Sequence, residues 1–563
     1  MAYDNYYIAD QFAMLAKLMD IHGENSFKSK SYSVAAFNIE KLPDQLSTIE
    51  KSKISSLKGI GDSSSKKIIE ILETGRLKVL DEIIEKTPPG VAEMLNIKGL
   101  GPKKISTVWK EMNIESIGEL LYACNENRLT LYKGFGEKTQ KNVQEAIEFY
   151  TLHQGNFLYA QVEDHTNKIT AVLANAFPTE LLSETGTFRR QLEIITSLEW
   201  ITTIGENELT RFFDTLGYKL YEKSDTNISF KGAENFILQF EVANPELYYK
   251  RLFQTSCSED FLNEWDMRYK GLSYDGLKSE DEIFARAGLP CIPPAIREKP
   301  AILAKLAAGY SPELIQPNDI RGIIHSHSTW SDGSDSLETM AKVAISQGLE
   351  YLVISDHSKS AFYANGLQEE RILQQHAEID ALNLKLAPFR IFKSIESDIL
   401  NDGSLDYPES VLKRFDLVIA SVHSNLKMSL DKAMARLLAA ISNPYTTILG
   451  HLSGRLLLSR PGYPLDYPVI IEACAAYNVV IELNAHPRRL DMDWRWIDLA
   501  IDNNVMISID PDAHTADAFN DCRYGVLAAQ KAGVEKKHNL SSYTLAEFKN
   551  FLATVVAAKR VNK

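Results

Sequence analysis

The chain has 563 residues, which at roughly 150 per domain argues for two to four domains rather than one core. Hydrophobic residues make up 45% and charged ones 24%, ordinary values that exclude global disorder and a fibrous repeat. Lysine plus arginine total 61 against 75 aspartates and glutamates, and the resulting net charge of −14 by itself speaks against a nucleic-acid partner, because phosphate binding wants a positive field.

Residues 1 to about 150 read as short helices broken by glycine-containing turns, with good helix formers in SSKKIIEILETGRLKVLDEIIEK and KNVQEAIEFYTLHQ. From about 155 to 290 a helix, YAQVEDHTNKITAVLANAF, mixes with apolar or alternating stretches such as LEIITSLEWITTI and NFILQFEVA, so an α+β unit is expected. The proline-dense GLPCIPPAIREKP follows and predicts an extended linker over 289–318. After about 320, seven β-branched runs alternate with helical or loop stretches: RGIIHSH, YLVISDH, FKSIESD, LVIASVH, TTILGH, VVIELNAH and VMISIDPDAH. Repeated βα units of this kind imply a barrel or parallel sheet, with the chemistry beyond the strand C-termini.

Cys124, Cys257, Cys291, Cys474 and Cys522 stand far apart with no CxxC pair, so they read as reduced residues. No apolar run of about 18 residues or more occurs, and MAYDNYYIADQF lacks a basic segment followed by an apolar one. The expectation is a cytoplasmic monomer with no membrane segment.

Nine of the 12 histidines lie after residue 320. GIIHSHS places His325 and His327 two apart at a strand end, facing the same side as two ligands of one metal would. WSDG then supplies Asp332, ISDHS supplies His357, IESD supplies Glu396, the fourth and fifth strands end at His423 and His451, and ISIDPDAH offers Asp512 and His514. Any one such histidine could be a hydrogen-bonded structural residue. Six at successive strand ends are hard to assign to packing, because each buried imidazole needs its own partner. Asp356 reads as lying behind the ligands rather than among them. Lys359 and Arg455, just past ligand-bearing strand ends, are candidate phosphate clamps.

Three glycine motifs recur near the N-terminus: LKGIGDSSSKKI with Gly59 and Gly61, IKGLGPKKI with Gly99 and Gly101, and YKGFGEKTQKNV with Gly134 and Gly136. Glycines let a backbone approach a phosphate, the following helix presents free N–H groups, and Lys66, Lys67, Lys103, Lys104, Lys138 and Lys141 add local charge. A single GxG could be only a helix C-cap, but three copies with the same lysine placement predict DNA-backbone binding through basic patches.

The motif HxHxxxxD, then DH, Glu, His, His and DxH resembles the PHP (polymerase and histidinol phosphatase) family, which implies a distorted seven-stranded β/α barrel with a trinuclear metal centre. By that resemblance one metal takes His325, His327, Glu396 and Asp512. A second shares Glu396 and takes His423 and His451, and a third takes Asp332, His357 and His514. The expected cofactors are three divalent ions, zinc or manganese, with iron admitted. Metals so held activate water and neutralise phosphoryl charge, so phosphoester hydrolysis is expected, with Asp512, His514, Arg455 and Lys359 as the catalytic group. IELNAHPRRLD resembles the asparagine- and arginine-rich stretch of the polymerase-fused members, from which His486 departs.

The glycine motifs resemble the helix-hairpin-helix, and the whole order, with KSKSYSVAAF and GTFRR, resembles bacterial family X DNA polymerases. This implies a lyase-like helix-hairpin-helix domain over 1–80, a fingers-like one over 81–154, a palm and thumb over 155–288, and the metal-dependent phosphoesterase over 319–563. Lys67 falls where that family has its Schiff-base lysine for removing 5′-deoxyribose phosphate, while Ser63 replaces a second lysine of the region.

The palm departs from the family. Aligned on Gly186, Arg189 and Arg190, Ser197 and Glu199 occupy the positions of the DxD aspartates, and Gln239 falls at the third. Two-metal phosphoryl transfer needs anionic oxygens, which Ser and Gln do not offer, so a degenerate palm is expected. The reading is a DNA repair nuclease, a 3′ to 5′ exonuclease that also cleaves at abasic sites. Its expected partner is gapped, 3′-ended or abasic DNA, with nucleoid association when bound. Three alternatives stand beside it: a competent polymerase with proofreading, a histidinol-phosphatase-like enzyme, and a DNA-binding adaptor with structural metals.

Overall fold

The computed structural model describes residues 3–125, 128–152, 155–232, 236–458 and 461–561. The chain divides into two compact units, Met1–Gln154 and Gly155–Lys563. Among the described residues, no helix is long and apolar enough to cross a membrane.

The first unit is helical around one core that runs from Ile8 through Ile68 and Ile105 to Ile147. Its three glycine turns share one geometry. Gly59, Gly99 and Gly134 have φ of 78°, 89° and 94°, left-handed values that other residues adopt only with strain. Helices follow at once at Asp62–Thr74, Pro102–Lys110 and Glu137–Leu152, and Gly61 and Gly101 are the N-caps of the first two. A side-chain-free N-cap leaves the first turn's N–H groups uncovered.

The second unit opens with a short ribbon, β1 (Phe157–Leu158) against β3 (Ile194–Ile195). A five-stranded mixed sheet comprises β2 (Leu182–Glu184), β4 (Leu198–Thr202), β5 (Lys219–Lys223), β6 (Asn227–Lys231) and β7 (Ile237–Val242), in the order β2-β4-β7-β6-β5. Its core is aromatic: Trp200 stacks on Phe240 at 5.0 Å, and Phe213 stacks on Phe230 at 4.7 Å.

The segment 289–318 is not an extended linker. Leu289, Ile292, Ile296, Leu303 and Leu306 are buried in one cluster with Phe253, Phe261, Trp265 and Phe284, and Ala301–Ala307 is a helix. The prolines stiffen the turns, but the apolar residues between them need cover, and burial wins. Lys299 also donates to the Arg495 carbonyl at 2.7 Å and pairs with Asp498 at 2.6 Å, fastening this segment to the C-terminal half.

Eight parallel strands follow: β8 (Gly322–Ile323), β9 (Tyr351–Ile354), β10 (Arg390–Lys393), β11 (Glu396–Asp398), β12 (Ile419–Ser421), β13 (Ile448–Leu449), β14 (Val480–Asn484) and β15 (Ile507–Asp510). They form two sheets, β10-β9-β8 and β11-β12-β13-β14-β15. Single bridges also occur, Ser326 with Ala513 beyond β8 and β15, and His357, beyond β9, with Glu396 at the start of β11. The run FKSIESD, expected as one strand, is thus two. Asp416 occupies both backbone groups of Lys393, accepting from its N–H and donating to its carbonyl, each at 2.8 Å, which fills the edge of β10 away from β9. The chain then turns to offer Glu396 to the second sheet.

Candidate metal centre

The expected ligands lie shortly after the ends of these strands, apart from Asp332, in the loop after β8, and Glu396, which opens β11, and the nine side chains meet. Glu396, on β11, is the hub. Its Oε1 is 3.4 Å from His325, 3.1 Å from His423 and 2.9 Å from His451, and its Oε2 is 2.9 Å from His357 and 3.6 Å from His327. Asp512 is 3.1 Å from His327 and 3.5 Å from His325, and Asp332 is 3.7 Å from His357 and 3.5 Å from His514. Among the described residues three groups could each hold a cation: His327, Asp332, His357 and His514; His325, His327 and Asp512; and His357, Glu396 and His423.

The donor set fits divalent metal. Among the described residues, the Nε2 of His325 and the Oε2 of Glu396 are buried with no hydrogen-bond partner, a costly state unless a cation sits between such groups. Burial, with His357 and His514 nearby, pushes His327 down to about 3, so this imidazole keeps its lone pairs. Burial alone would raise Glu396 and Asp512, but surrounding imidazoles outweigh it and hold both well below the usual carboxylate range. The backbone is strained here too: His451 and Asp512 have φ of 24° and 52°, left-handed values that surrounding structure must impose.

Asp356 lies behind the ligands. Its carboxylate accepts from the backbone and hydroxyl of Ser328 and of Ser331, and from Gln375, at 2.5 to 3.2 Å. It thereby ties down the loop that carries Asp332. Lys359 lies 5.2 Å from the ring centroid of Tyr407. Arg455, expected as a phosphate clamp, is otherwise engaged: it donates to the carbonyls of Arg489, at 3.0 Å, and Leu490, and pairs with Asp493 at 2.5 Å. Its fork is spent on holding the 489–493 loop.

In the mixed sheet, Thr185, Gly186, Arg190, Glu199, Gln239 and Glu241 line a cavity of about 250 Å³. Parallel pairing sets Glu199 directly beside Gln239. Glu199 accepts from the Thr187 N–H at 3.0 Å, and burial raises its pKa. A side chain at Gly186 would put its Cβ 1.4 Å from Glu199 Oε2. The other nearby carboxylate, Glu241, pairs with Arg251. Arg189 and Arg190 pair with Glu280 and Glu298.

In the first unit Lys66, Lys103 and Lys138 are exposed, Lys67 and Lys104 half-buried. Lys104 caps its own turn by donating to the Gly99 carbonyl at 3.1 Å, and Lys67 sits 5.4 Å from the Tyr32 ring centroid.

Two family matches cover this helical unit: a helix-hairpin-helix domain over residues 4–77 and a SAM-like helix-hairpin-helix tandem over 91–148. Over the whole length, a Bacillus subtilis (strain 168) protein named DNA polymerase/3'-5' exonuclease PolX is 32% identical across 96% of this chain and 97% of its own. The chain belongs to the PolX family of DNA polymerases. Phosphatase-like relatives match the C-terminal part of this PolX chain. A probable phosphatase of Caldanaerobacter subterraneus subsp. tengcongensis is 29% identical over 26% of the chain, which spans about half that protein's length, 54%. One of Vibrio atlanticus is 32% identical over 28% of the chain and 61% of its own length.

Three residues that sequence reasoning passed over complete the centre of this PolX member. Glu482 accepts from His325 Nδ1 and from the His451 backbone, both at 2.5 Å, and Asp398 meets His423 Nδ1 at 2.7 Å. Such carboxylates fix the tautomer and orientation of ligating rings. Asn484 donates to Asp512 Oδ2 at 3.1 Å. Glu482 and Asn484, like Glu396 and Asp398, are two apart on one strand, and that spacing was the available signal.

Proposed function

We propose that this chain is a DNA-binding, metal-dependent phosphodiesterase of DNA repair, a 3′ to 5′ exonuclease that also cleaves abasic sites. The observation that carries the reading is the meeting of nine side chains carried by six strands and the loops after them, with Glu396 within 3.6 Å of five imidazoles. The single bridges at Ser326 and His357 support closure of the eight strands as a distorted seven-stranded barrel, β10 and β11 sharing one place. His325, His327, Asp332, His357, Glu396, His423, His451, Asp512 and His514 would hold up to three divalent ions, zinc or manganese, with iron as an alternative. Metal bound there supplies an activated water and neutralises the phosphoryl oxygens. The chain's own residues do the rest: Glu482 and Asp398 aim the imidazoles, Asn484 steadies Asp512, and Asp356 holds the Asp332 loop.

The three hairpins would hold the DNA backbone, that of Gly59 in the lyase-like region within 1–80 and those of Gly99 and Gly134 in the fingers-like region within 81–154. Lys67 is the proposed Schiff-base residue there. The palm, within 155–288, is proposed to add no nucleotides: Glu199 is bonded to backbone, Glu241 is neutralised by Arg251, and Ser197 and Gln239 carry no charge. The phosphatase relatives favour a second reading, a small-molecule phosphatase, although it leaves the hairpins without a task.

One assay separates these. The protein is incubated with 3′-labelled, primed-template and abasic DNA, with and without manganese and nucleotides. Manganese-dependent shortening is expected, lost in His327→Ala and Asp512→Ala while both still retard DNA. Shortening that persists in both variants, or without metal, would sink the nuclease reading. Primer extension by the same protein is expected to be undetectable, and extension abolished by Glu199→Ala would restore a working palm.

A further inference from the structure

The cation expected to grip phosphate, Arg455, is tied into a loop, and the loop it holds presents another. Arg489 Nε lies 3.6 Å from Asp512 Oδ2, its side chain about one-fifth exposed at 21%. Among the described residues its guanidinium makes this ionic contact and no hydrogen bond. The neighbouring Arg455 hydrogen-bonds to protein through all three of its nitrogens, and Arg495 is held by Glu193 and Asp493 through Nη1. An arginine with open donors beside a ligand carboxylate suits an anionic oxygen of substrate.

What fixes this loop comes from outside the metal half. Glu193, just after the Gly186–Arg190 turn, is buried and accepts from Trp494 Nε1 and Arg495 Nη1, both at 3.1 Å, and pairs with buried Lys531 at 3.4 Å. Burial alone would raise its carboxyl, but Lys531, Arg495 and Arg455 hold it down at about 2. Arg495 pairs in turn with Asp493 at 3.0 Å, Asp493 with Arg455 at 2.5 Å, and Arg455 holds the Arg489 carbonyl. The series Glu193, Arg495, Asp493, Arg455 is thus continuous, from the palm-like region to the backbone of Arg489.

Building on the phosphodiesterase reading, we propose that Arg489 contacts the phosphate being cleaved, and that Glu193 is a positioning residue that sets Arg489 through this series. The test uses the full-length, manganese-loaded protein. Arg489→Ala is expected to lower kcat/KM on 3′-labelled DNA about 100-fold, with manganese binding by calorimetry unchanged. Arg489→Lys should recover part of the loss. Inorganic phosphate should bind the alanine variant roughly tenfold more weakly. Glu193→Gln and Asp493→Asn should each cost about tenfold, and neither should cost more once Arg489 is alanine.

Glu193→Gln strands Lys531 and could fail to fold. Asp493→Asn then carries the test, because asparagine preserves the N-cap that Asp493 gives the Arg495 N–H. Full losses on top of Arg489→Ala would show that Glu193 does not act through Arg489. Unchanged kcat/KM and phosphate affinity in Arg489→Ala would overturn the contact itself. If wild-type protein leaves DNA intact, the nuclease reading falls, and the phosphate titration alone decides the role of Arg489.

Discussion

Glu396→Gln is expected to lower DNA hydrolysis about 1,000-fold or more, the loss anticipated when roughly 4 kcal/mol of metal-borne charge stabilisation disappears. Glu396 is the one carboxylate within 3.6 Å of His325, His327, His357, His423 and His451. Glutamine keeps the volume but has one acceptor oxygen and no charge, so it is a much weaker partner for a divalent cation. The check is twofold: the exonuclease rate, and manganese or zinc per chain by elemental analysis. Fewer ions and a lost rate are expected together. A variant with full metal content and full rate would remove Glu396 from the centre. Burial alone lowers His423, yet Glu396, with Asp398, carries it up to about 10. With glutamine there, the metal-free protein should lose that proton at a lower pH, visible in the histidine resonances.

Chelation should cost stability as well as activity. Nine polar side chains, most of them buried, are gathered in one place, and a cation that binds only the folded form stabilises it by mass action, about 4 kcal/mol when free metal is 1,000 times its dissociation constant. For a large domain at ~2–4 °C per kcal/mol, the melting transition should fall by on the order of ten degrees when metal is stripped. Scanning calorimetry with chelator, then after manganese is restored, gives the measurement. DNA retention should survive the same treatment, since the hairpin turns contain no ligand residue, and should weaken steeply with salt. A melting temperature indifferent to chelator would mean that the cluster holds no metal that matters to folding.

The sequence made the clustered side chains legible because strand ends advertise themselves: a β-branched run, then His, Asp or Glu. It hid Glu482 and Asp398, which sit inside such runs and look like strand polar residues until the alternation is applied to their neighbours. Arg455 was misread for a different reason. Its nearness to His451 along the chain was plain, but nothing local shows the 489–493 loop folding back over it. The proline-dense segment misled because prolines mark an extended path and say nothing about what lies alongside. Leu289, Ile292 and Ile296 were the contrary signal. The acidic total was a poor guide too, for Lys66, Lys103 and Lys138 are exposed at the turns where phosphate would lie.

The buried carboxylate at Glu193 bears on how this chain came to be one protein. Two ancestral genes joined end to end need share only a tether, and each product could later be cut free. Here the joining segment is buried in a core, and an anion beside the mixed sheet is answered by Trp494, Arg495 and Lys531 of the C-terminal half. Neither side of that seam would tolerate its partner's removal, since each would be left with unpaired charge in a dry place.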